Sequence, residues 1–484
     1  MKQNQNFHPL SQGLNLAPSK IRLIHLMGIC GTGMAALAGA LKELGYEIRG
    51  SDSKAYPPMS TFLDSLSIPI LLGFGPQNLD PRPDLVIVGN VITRENPEVQ
   101  TLAEAKLPFL SFPQALNHFV MKGKKRIVIA GTHGKTTTSS LVAWLLETAG
   151  LAPGFMIGGI PVNFEKGFKL GSGQYFVIEG DEYDTAFFDK GPKFFHYHPE
   201  TLILTSIEFD HADIYESLEQ IVTNFRRLVE LVPPQGHIIA NADDPIVADV
   251  VASARCPVIT YGLESKADWR VERLDSNEGN SFLKIRSPLG EELSLVISLY
   301  GVHNMANLTA MVALGATMDI DPDAVFRAAQ SFKGVRRRQE LLGEVRGITV
   351  IDDFAHHPTA VDKTIAAIKE AFPHRRLVAV FEPRSNSSRR NVFQEKYAEA
   401  FDHADLVMIP EPTRVENIPL SQRFSSERLV AELNQQGKQA YYGRDVNCLL
   451  DLLLEKIRPG DVVLFMSNGD FDALPHRLLG ALSG

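Results

Sequence analysis

Between residues 125 and 150 the chain reads KRIVIAGTHGKTTTSSLVAWLLETAG: an apolar strand-like run, a glycine-bounded turn and an amphipathic helix. The turn, Gly131, Thr132, His133, Gly134, Lys135, Thr136 and Thr137, has the composition of a phosphate cradle. Backbone N–H groups at a helix start converge on one point, where the helix dipole adds positive potential. Lys135 can reach the terminal phosphates of a nucleotide, and the hydroxyl of Thr136 or Thr137 can hold Mg²⁺. Ile129 stands where the full P-loop pattern has its first glycine, so the loop is a shortened variant. A solvated glycine turn is the plain alternative.

Two further stretches bring carboxylates to the ends of apolar strands. YFVIEGDEYD (175–184) delivers Glu179, Asp181, Glu182 and Asp184, and beside a phosphate loop such acids are where Mg²⁺ ligands belong. TLILTSIEFDHADIY (201–215) repeats the arrangement with Glu208, Asp210, His211 and Asp213. A lone histidine is more often structural, yet this second acidic turn draws His211 toward the site. On that reading Glu179 and His211 help hold cations that bridge phosphates.

Asn304 and Asn307, in GVHNMANLTAMVALGA (301–316), are three residues apart and share a helical face. Their amides can read an adenine edge, or simply cap and cross-link helices. Three arginines follow in GVRRRQELLGE (334–344), at what reads as a domain junction. They form either a solvated face or a cation that reaches a γ-phosphate when domains close. Beyond them strands and helices alternate. Asp352, Asp353, His356 and His357 leave one strand, and Arg384, Ser385 and Asn386 leave the next. Ligands in open α/β sheets sit beyond the carboxyl ends of strands, which suits both groups for substrate contact.

The elements that must position these residues are βα units. The first, IRLIHLMGICGTGMAALAGALKELG, turns through Gly28, Cys30, Gly31, Thr32 and Gly33, and the next strand ends in Asp52. Cysteine replaces the second glycine of a dinucleotide fingerprint, although Gly31 can restore the room. A nucleotide site with Asp52 near a ribose and a plain packing turn both fit. A nicotinamide oxidoreductase argued from this turn leaves the Gly-Lys-Thr loop unexplained. A nucleotide-dependent switch keeps the loop but has no use for a sugar-nucleotide segment.

A chain of 484 residues with 44% apolar content is long for one core, and three α/β domains are expected: 1–122, 123–333 and 334–484. A net charge of -9 gives no general reason to bind nucleic acid or an anionic membrane. The cysteines, Cys30, Cys256 and Cys448, have no metal spacing. The polar N-terminus and the lack of any long apolar run predict a cytoplasmic protein without membrane insertion.

Taken together, GTHGKTT, VIEGDEYD, EFDHAD, GVHNMAN, RRRQELLGE and IDDFAHHPT stand in the order and spacing of the Mur ligase family, which the chain resembles over nearly its whole length. These are ATP-dependent amide-forming enzymes of bacterial cell-wall synthesis. The resemblance implies a three-domain Mur ligase architecture: a Rossmann-like N-terminal domain for the UDP-sugar, a central P-loop ATPase-like domain and a Rossmann-like C-terminal domain. It implies ATP and Mg²⁺, with Lys135 on the phosphates, Thr136, Glu179 and His211 on metal, and Asn304 and Asn307 at the nucleotide. Arg338 and Asp353 would complete the ATP site from across the cleft. The first turn and IDDFAHHPT are similar to the branch acting on UDP-N-acetylmuramate. The incoming amine is then the tripeptide L-alanyl-γ-D-glutamyl-meso-diaminopimelate or, alternatively, L-alanine, with Arg384, Arg389 and Arg390 as candidates for extra carboxylates. His211 and His356 are candidate bases by residue type alone. Several members carry a carbamylated lysine shortly after the histidine motif; residues 212–230 contain none. Either this branch dispenses with it or another group serves.

Overall fold

The computed structural model describes residues 10–263, 266–277 and 280–484, so part of the polar N-terminal stretch lies outside it. Apolar runs bounded by glycines become parallel strands, because helices cover both faces of each sheet. Leu85–Val88, for example, is buried at every position. The first sheet has five parallel strands in the order Ile70–Leu72, Glu47–Asp52, Leu23–Met27, Leu85–Val88, Phe109–Ser111. The chain runs outward in one direction and then returns to run outward in the other. The carboxyl end of Leu23–Met27 therefore opens at the switch point, where such sheets bind ligands.

The second sheet has ten strands, and Lys125–Ala130 lies inside it, parallel to both Thr201–Leu204 and Tyr175–Gly180. Three carboxyl ends thus emerge side by side, and the two acidic turns land against the phosphate loop. An antiparallel meander, Trp269–Asn277, Asn280–Arg286 and Glu292–Ile297, extends the far edge. The helix after the loop, Lys135–Thr148, differs from the amphipathic expectation. It is buried around most of its circumference, Thr138, Ser139 and Ser140 included. Its Leu141 and Leu145 pack with Met305, Leu308 and Val325, while Val142 and Leu146 pack with Ala310 and the sheet residues Ile127 and Ile129. With neighbours on both sides, small polar residues substitute for a solvated face; Ser140 Oγ bonds the Thr136 carbonyl at 2.7 Å.

The third sheet has six strands in the order Glu340–Val345, Ile348–Asp353, Val462–Met466, Leu377–Phe381, Leu406–Pro410, Gln439–Gly443. Only the first pairs antiparallel. The last strand in sequence inserts between Ile348–Asp353 and Leu377–Phe381. Among the described residues, no helix is long and apolar enough to cross a membrane.

Candidate active site

The phosphate loop is shaped by two glycines that nothing else can replace. Gly131 (φ +141°) lies where a Cβ would come within 2.1 Å of Thr205 Oγ1, and Gly134 (φ +84°) where it would meet Asn307 Oδ1 at 2.7 Å. The first contact holds the loop against the neighbouring strand; the second sets it against the helix Val302–Thr317. Thr132 N–H donates to the Ser206 carbonyl at 2.7 Å, and His133 N–H to Ser206 Oγ at 3.1 Å. Thr137 is buried one position past Thr136.

Lys135 points back across this loop. Its Nζ donates to the carbonyls of Gly131 (2.5 Å) and Thr132 (3.4 Å) and pairs with Glu182 at 2.8 Å. The other oxygen of Glu182 lies 3.3 Å from His211 Nε2. A single carboxylate, 2% exposed, therefore joins the phosphate-loop lysine to the histidine of the second acidic turn. Burial works against its ionisation, but Lys135 and His211 hold it down at about 2. Burial likewise opposes the charged forms of its partners, and Glu182 outweighs it, so both Lys135 and His211 are raised.

Glu182, like Asp181 and Asp184, is given no role of its own by sequence reasoning. Its signal is the combination of a post-strand acid with a lysine and a histidine in neighbouring turns. Removing its charge leaves Lys135 buried without its nearest counter-ion. Glu182→Gln is expected to lower folding stability by about 3 kcal/mol. Urea unfolding checks this, and an unchanged midpoint and slope would show the network to be energetically idle.

The remaining acids of the run part company. Asp184 pairs with exposed Lys190, and Asp181 with Lys193. Glu179 turns inward, where its two oxygens accept from Gly158 N–H at 2.8 Å and Thr136 Oγ1 at 3.2 Å. Burial and the charge of Asp181 push its carboxyl up to about 7. A buried carboxylate short of positive charge, beside a hydroxyl oxygen, suits a hard divalent cation with oxygen ligands.

The arginine run divides three ways. Arg336 contacts Glu340 near solvent; Arg337 reaches Asp352 at 3.2 Å and the Ser467 carbonyl at 2.7 Å. Arg338 crosses to the central domain. Its Nη2 donates to Thr136 Oγ1 at 3.2 Å, and its guanidinium lies 4.4 Å from the centre of the Phe354 ring. Asp353 supports this segment: its carboxylate accepts from Gln339 N–H at 2.8 Å and Ala355 N–H at 2.7 Å. Gln339, which sequence reasoning misses, accepts from Asn304 Nδ2 at 3.0 Å, and Asn307 donates to Asn304 Oδ1 at 3.3 Å. The paired asparagines, the phosphate loop and the start of the third domain therefore form one contiguous wall.

Beside it a cavity of about 260 Å³ is lined by Asp210, His211, His356, Arg384, Ser385 and Asn386, with Ser387 and Asn468. Central and C-terminal domains both contribute. Asn386 Nδ2 donates to Asp213 at 2.8 Å and Ser387 Oγ to Asp210 at 2.9 Å, closing the seam. Arg384 is held by Asp470 at 2.6 Å. Arg389 instead bonds Asn386 and the Arg414 carbonyl, and Arg390 bonds Gln422; neither lines the cavity.

The N-terminal turn lies apart from this assembly. Gly28 has φ +78°, and the N–H groups of Gly28 and Ile29 donate to the Ser51 carbonyl. Asp52 Oδ2 accepts from Cys30 N–H at 2.9 Å, so one oxygen of the expected ribose reader braces the turn itself. Burial raises the Cys30 thiol to about 11. Gly33 faces the Phe112 ring, Gly31 the Gly28 carbonyl, and Thr32 opens the helix Thr32–Glu43.

A shortened phosphate loop, buried acids on the strands beside it and a cation reaching in from a third α/β domain define a nucleotide-dependent ligase class, and the chain belongs to the Mur ligase family. Its three segments match the Mur ligase family catalytic domain (residues 23–123), the Mur ligase middle domain (129–315) and the Mur ligase glutamate ligase domain (337–469). It is 42% identical over 465 residues to the UDP-N-acetylmuramate–L-alanyl-γ-D-glutamyl-meso-2,6-diaminoheptandioate ligase of Escherichia coli, covering 95% of this chain and 98% of that one. It is 33% identical over 465 residues to the UDP-N-acetylmuramate–L-alanine ligase of Desulforamulus reducens, covering 96% and 98%. Among solved structures, a murein peptide ligase from Psychrobacter arcticus superposes with a TM-score of 0.71 at 34% identity, covering 96% and 99%.

Proposed function

We propose that this protein is an ATP-dependent ligase that joins the lactyl carboxylate of UDP-N-acetylmuramate to the amine of L-alanyl-γ-D-glutamyl-meso-diaminopimelate, in peptidoglycan recycling. The observation that carries this reading is the full-length likeness to the Escherichia coli enzyme of that activity. The geometry is consistent with it. A carboxylate is a poor electrophile, so amide formation needs activation, and transfer of the γ-phosphoryl group to give an acyl phosphate supplies it. Lys135 would sit on the transferring phosphate and Arg338 would approach it from the opposite wall, each stabilising charge as it develops. Thr136 and Glu179 would hold Mg²⁺, whose bound charge neutralises phosphate oxygens, with His211 toward a second cation. Asn304 and Asn307 would contact the nucleotide, and the turn Gly28–Gly33 with Asp52 the UDP-sugar.

The amine would enter the cavity between His211, His356 and Arg384 and attack the acyl carbon, expelling phosphate. Burial disfavours the His356 imidazolium while the Glu182 pair favours that of His211, so His356 is the more readily unprotonated of the two and the candidate to take the amine's proton. Closure of the seam around Asn386 and Ser387 would keep water from the acyl phosphate. The cytoplasm, where ATP and UDP-sugars are held, is the setting this chemistry requires.

The relatives that attach L-alanine match over the same length, which makes UDP-N-acetylmuramate–L-alanine ligation the competing reading. The test is purified enzyme with UDP-N-acetylmuramate, ATP and Mg²⁺, given tripeptide or L-alanine in parallel, with products identified by mass spectrometry. Ligation of the tripeptide with little alanine product is expected. The reverse would move the protein to the alanine branch.

A further inference from the structure

A second cluster, outside the groups assigned above to Mg²⁺, lies where the phosphate loop meets the C-terminal domain. His133 comes from the loop, Glu208 from the second acidic turn, and His357 from the start of the helix Pro358–Ala371. His133 Nε2 is 3.5 Å and His357 Nδ1 3.7 Å from the same oxygen, Glu208 Oε2. All three ligand atoms lie within 4.8 Å of one another.

Hydrogen bonding around the cluster fixes where the proton of His357 stands. His357 is only 4% exposed, and its Nε2 faces the Phe209 carbonyl oxygen at 3.2 Å. That nitrogen therefore carries the proton and donates. Nδ1 is left as a bare lone pair, without a hydrogen-bond partner, aimed at a carboxylate oxygen. His133 Nε2 is buried beside the same oxygen, 3.5 Å away and without a hydrogen-bond partner. A bare imidazole nitrogen facing a carboxylate oxygen is a repulsive arrangement that a cation resolves. The surroundings also match the support that metal-bound histidines and carboxylates receive. A backbone carbonyl fixes the His357 tautomer, and Thr359 Oγ1 donates to Glu208 Oε2 at 2.7 Å.

We infer that His133, Glu208 and His357 form a binding site for a zinc-class divalent cation, bridging the central and C-terminal domains. Two imidazoles and one carboxylate favour Zn²⁺ or Co²⁺ over Mg²⁺, which prefers oxygen ligands. Ligand atoms on a four-coordinate ion of this class stand roughly 3.4 Å apart; the two nitrogens stand 3.5 and 3.7 Å from Glu208 Oε2 and within 4.8 Å of each other, so closing on an ion takes a modest movement of the two rings. The fourth position is left to water or a substrate oxygen. Because His357 belongs to one domain and His133 and Glu208 to the other, the bound ion clasps the two.

The test uses the full chain saturated with Mg²⁺ and titrated with Co²⁺. Expected is binding of one equivalent with visible ligand-field bands, displaced by Zn²⁺, and a higher melting temperature with the metal than without. His357→Gln and Glu208→Gln should each weaken binding at least about tenfold, and Thr359→Val, which leaves all three ligands in place, should weaken it less. His211→Asn, in the neighbouring site, should leave the bands and affinity unchanged. Metal-free melting curves show whether each variant is folded, and Thr359→Val keeps the test decisive if the buried His357 variant is not. Absence of stoichiometric Co²⁺ binding, or bands lost in His211→Asn but kept in His357→Gln and Thr359→Val, would overturn the assignment.

Discussion

Lys135→Ala should lower kcat for amide formation by about 10³-fold or more, while the protein remains folded. The Nζ of this lysine is aimed across the phosphate loop, held there by the Gly131 and Thr132 carbonyls and by Glu182. Charge that develops on a transferring phosphoryl group in a water-poor site is stabilised by several kcal/mol by a preorganised cation, and each 1.36 kcal/mol is about tenfold in rate. Folding should survive because Glu182 keeps His211 as a partner at 3.3 Å. Steady-state kinetics with tripeptide and ATP, paired with a thermal melt, measure both halves. A folded variant within tenfold of the parent would remove Lys135 from the mechanism.

Arg338→Ala is expected to cost about 10²–10³-fold in kcat, by analogy with cations supplied to phosphoryl transfer from a neighbouring domain. Its position comes from two independent supports, the Thr136 hydroxyl at 3.2 Å and the face of Phe354 at 4.4 Å. The planar guanidinium is suited to both, since it stacks and donates at once, whereas an ammonium is a point charge on a flexible stem. Arg338→Lys should therefore recover little of the loss. Arg336→Ala, in the exposed part of the run, should be nearly silent. If Arg338→Lys restored most of the rate, positive charge alone would be sufficient and the geometric argument would fail. Presteady-state release of ADP would separate a slower phosphoryl step from slower product release.

Much of this site is legible in the amino-acid sequence, for a local reason. A phosphate loop is made by consecutive residues: the strand, the glycines, Lys135 and the helix start are contiguous, so backbone conformation and residue type suffice to recognise it. The α/β class follows in the same way, from apolar runs alternating with helical ones. The order of the motifs then identifies the family. Asn304 and Asn307 are legible as a pair because helical spacing puts them on one face.

Groups that act together from distant parts of the chain are not legible in this way. Four acids stand at or just beyond the end of one strand, and residue type alone does not distinguish Glu179, which turns inward, from Asp184, which pairs with exposed Lys190. Glu182 acquires its place between Lys135 and His211 only because Tyr175–Gly180 and Thr201–Leu204 flank the loop strand in parallel. The arginine run reads as a single feature, but the backbone sends Arg336, Arg337 and Arg338 to three different partners. The same holds for the His133, Glu208 and His357 cluster, whose members look unrelated along the sequence. The amino-acid sequence alone determined the α/β class and the phosphate loop, because these rest on contiguous residues, and the family, through the order of its motifs along the chain. The tertiary structure decided which carboxylate meets which cation, since parallel strand order and the docking of the third domain bring together side chains that no spacing along the chain relates.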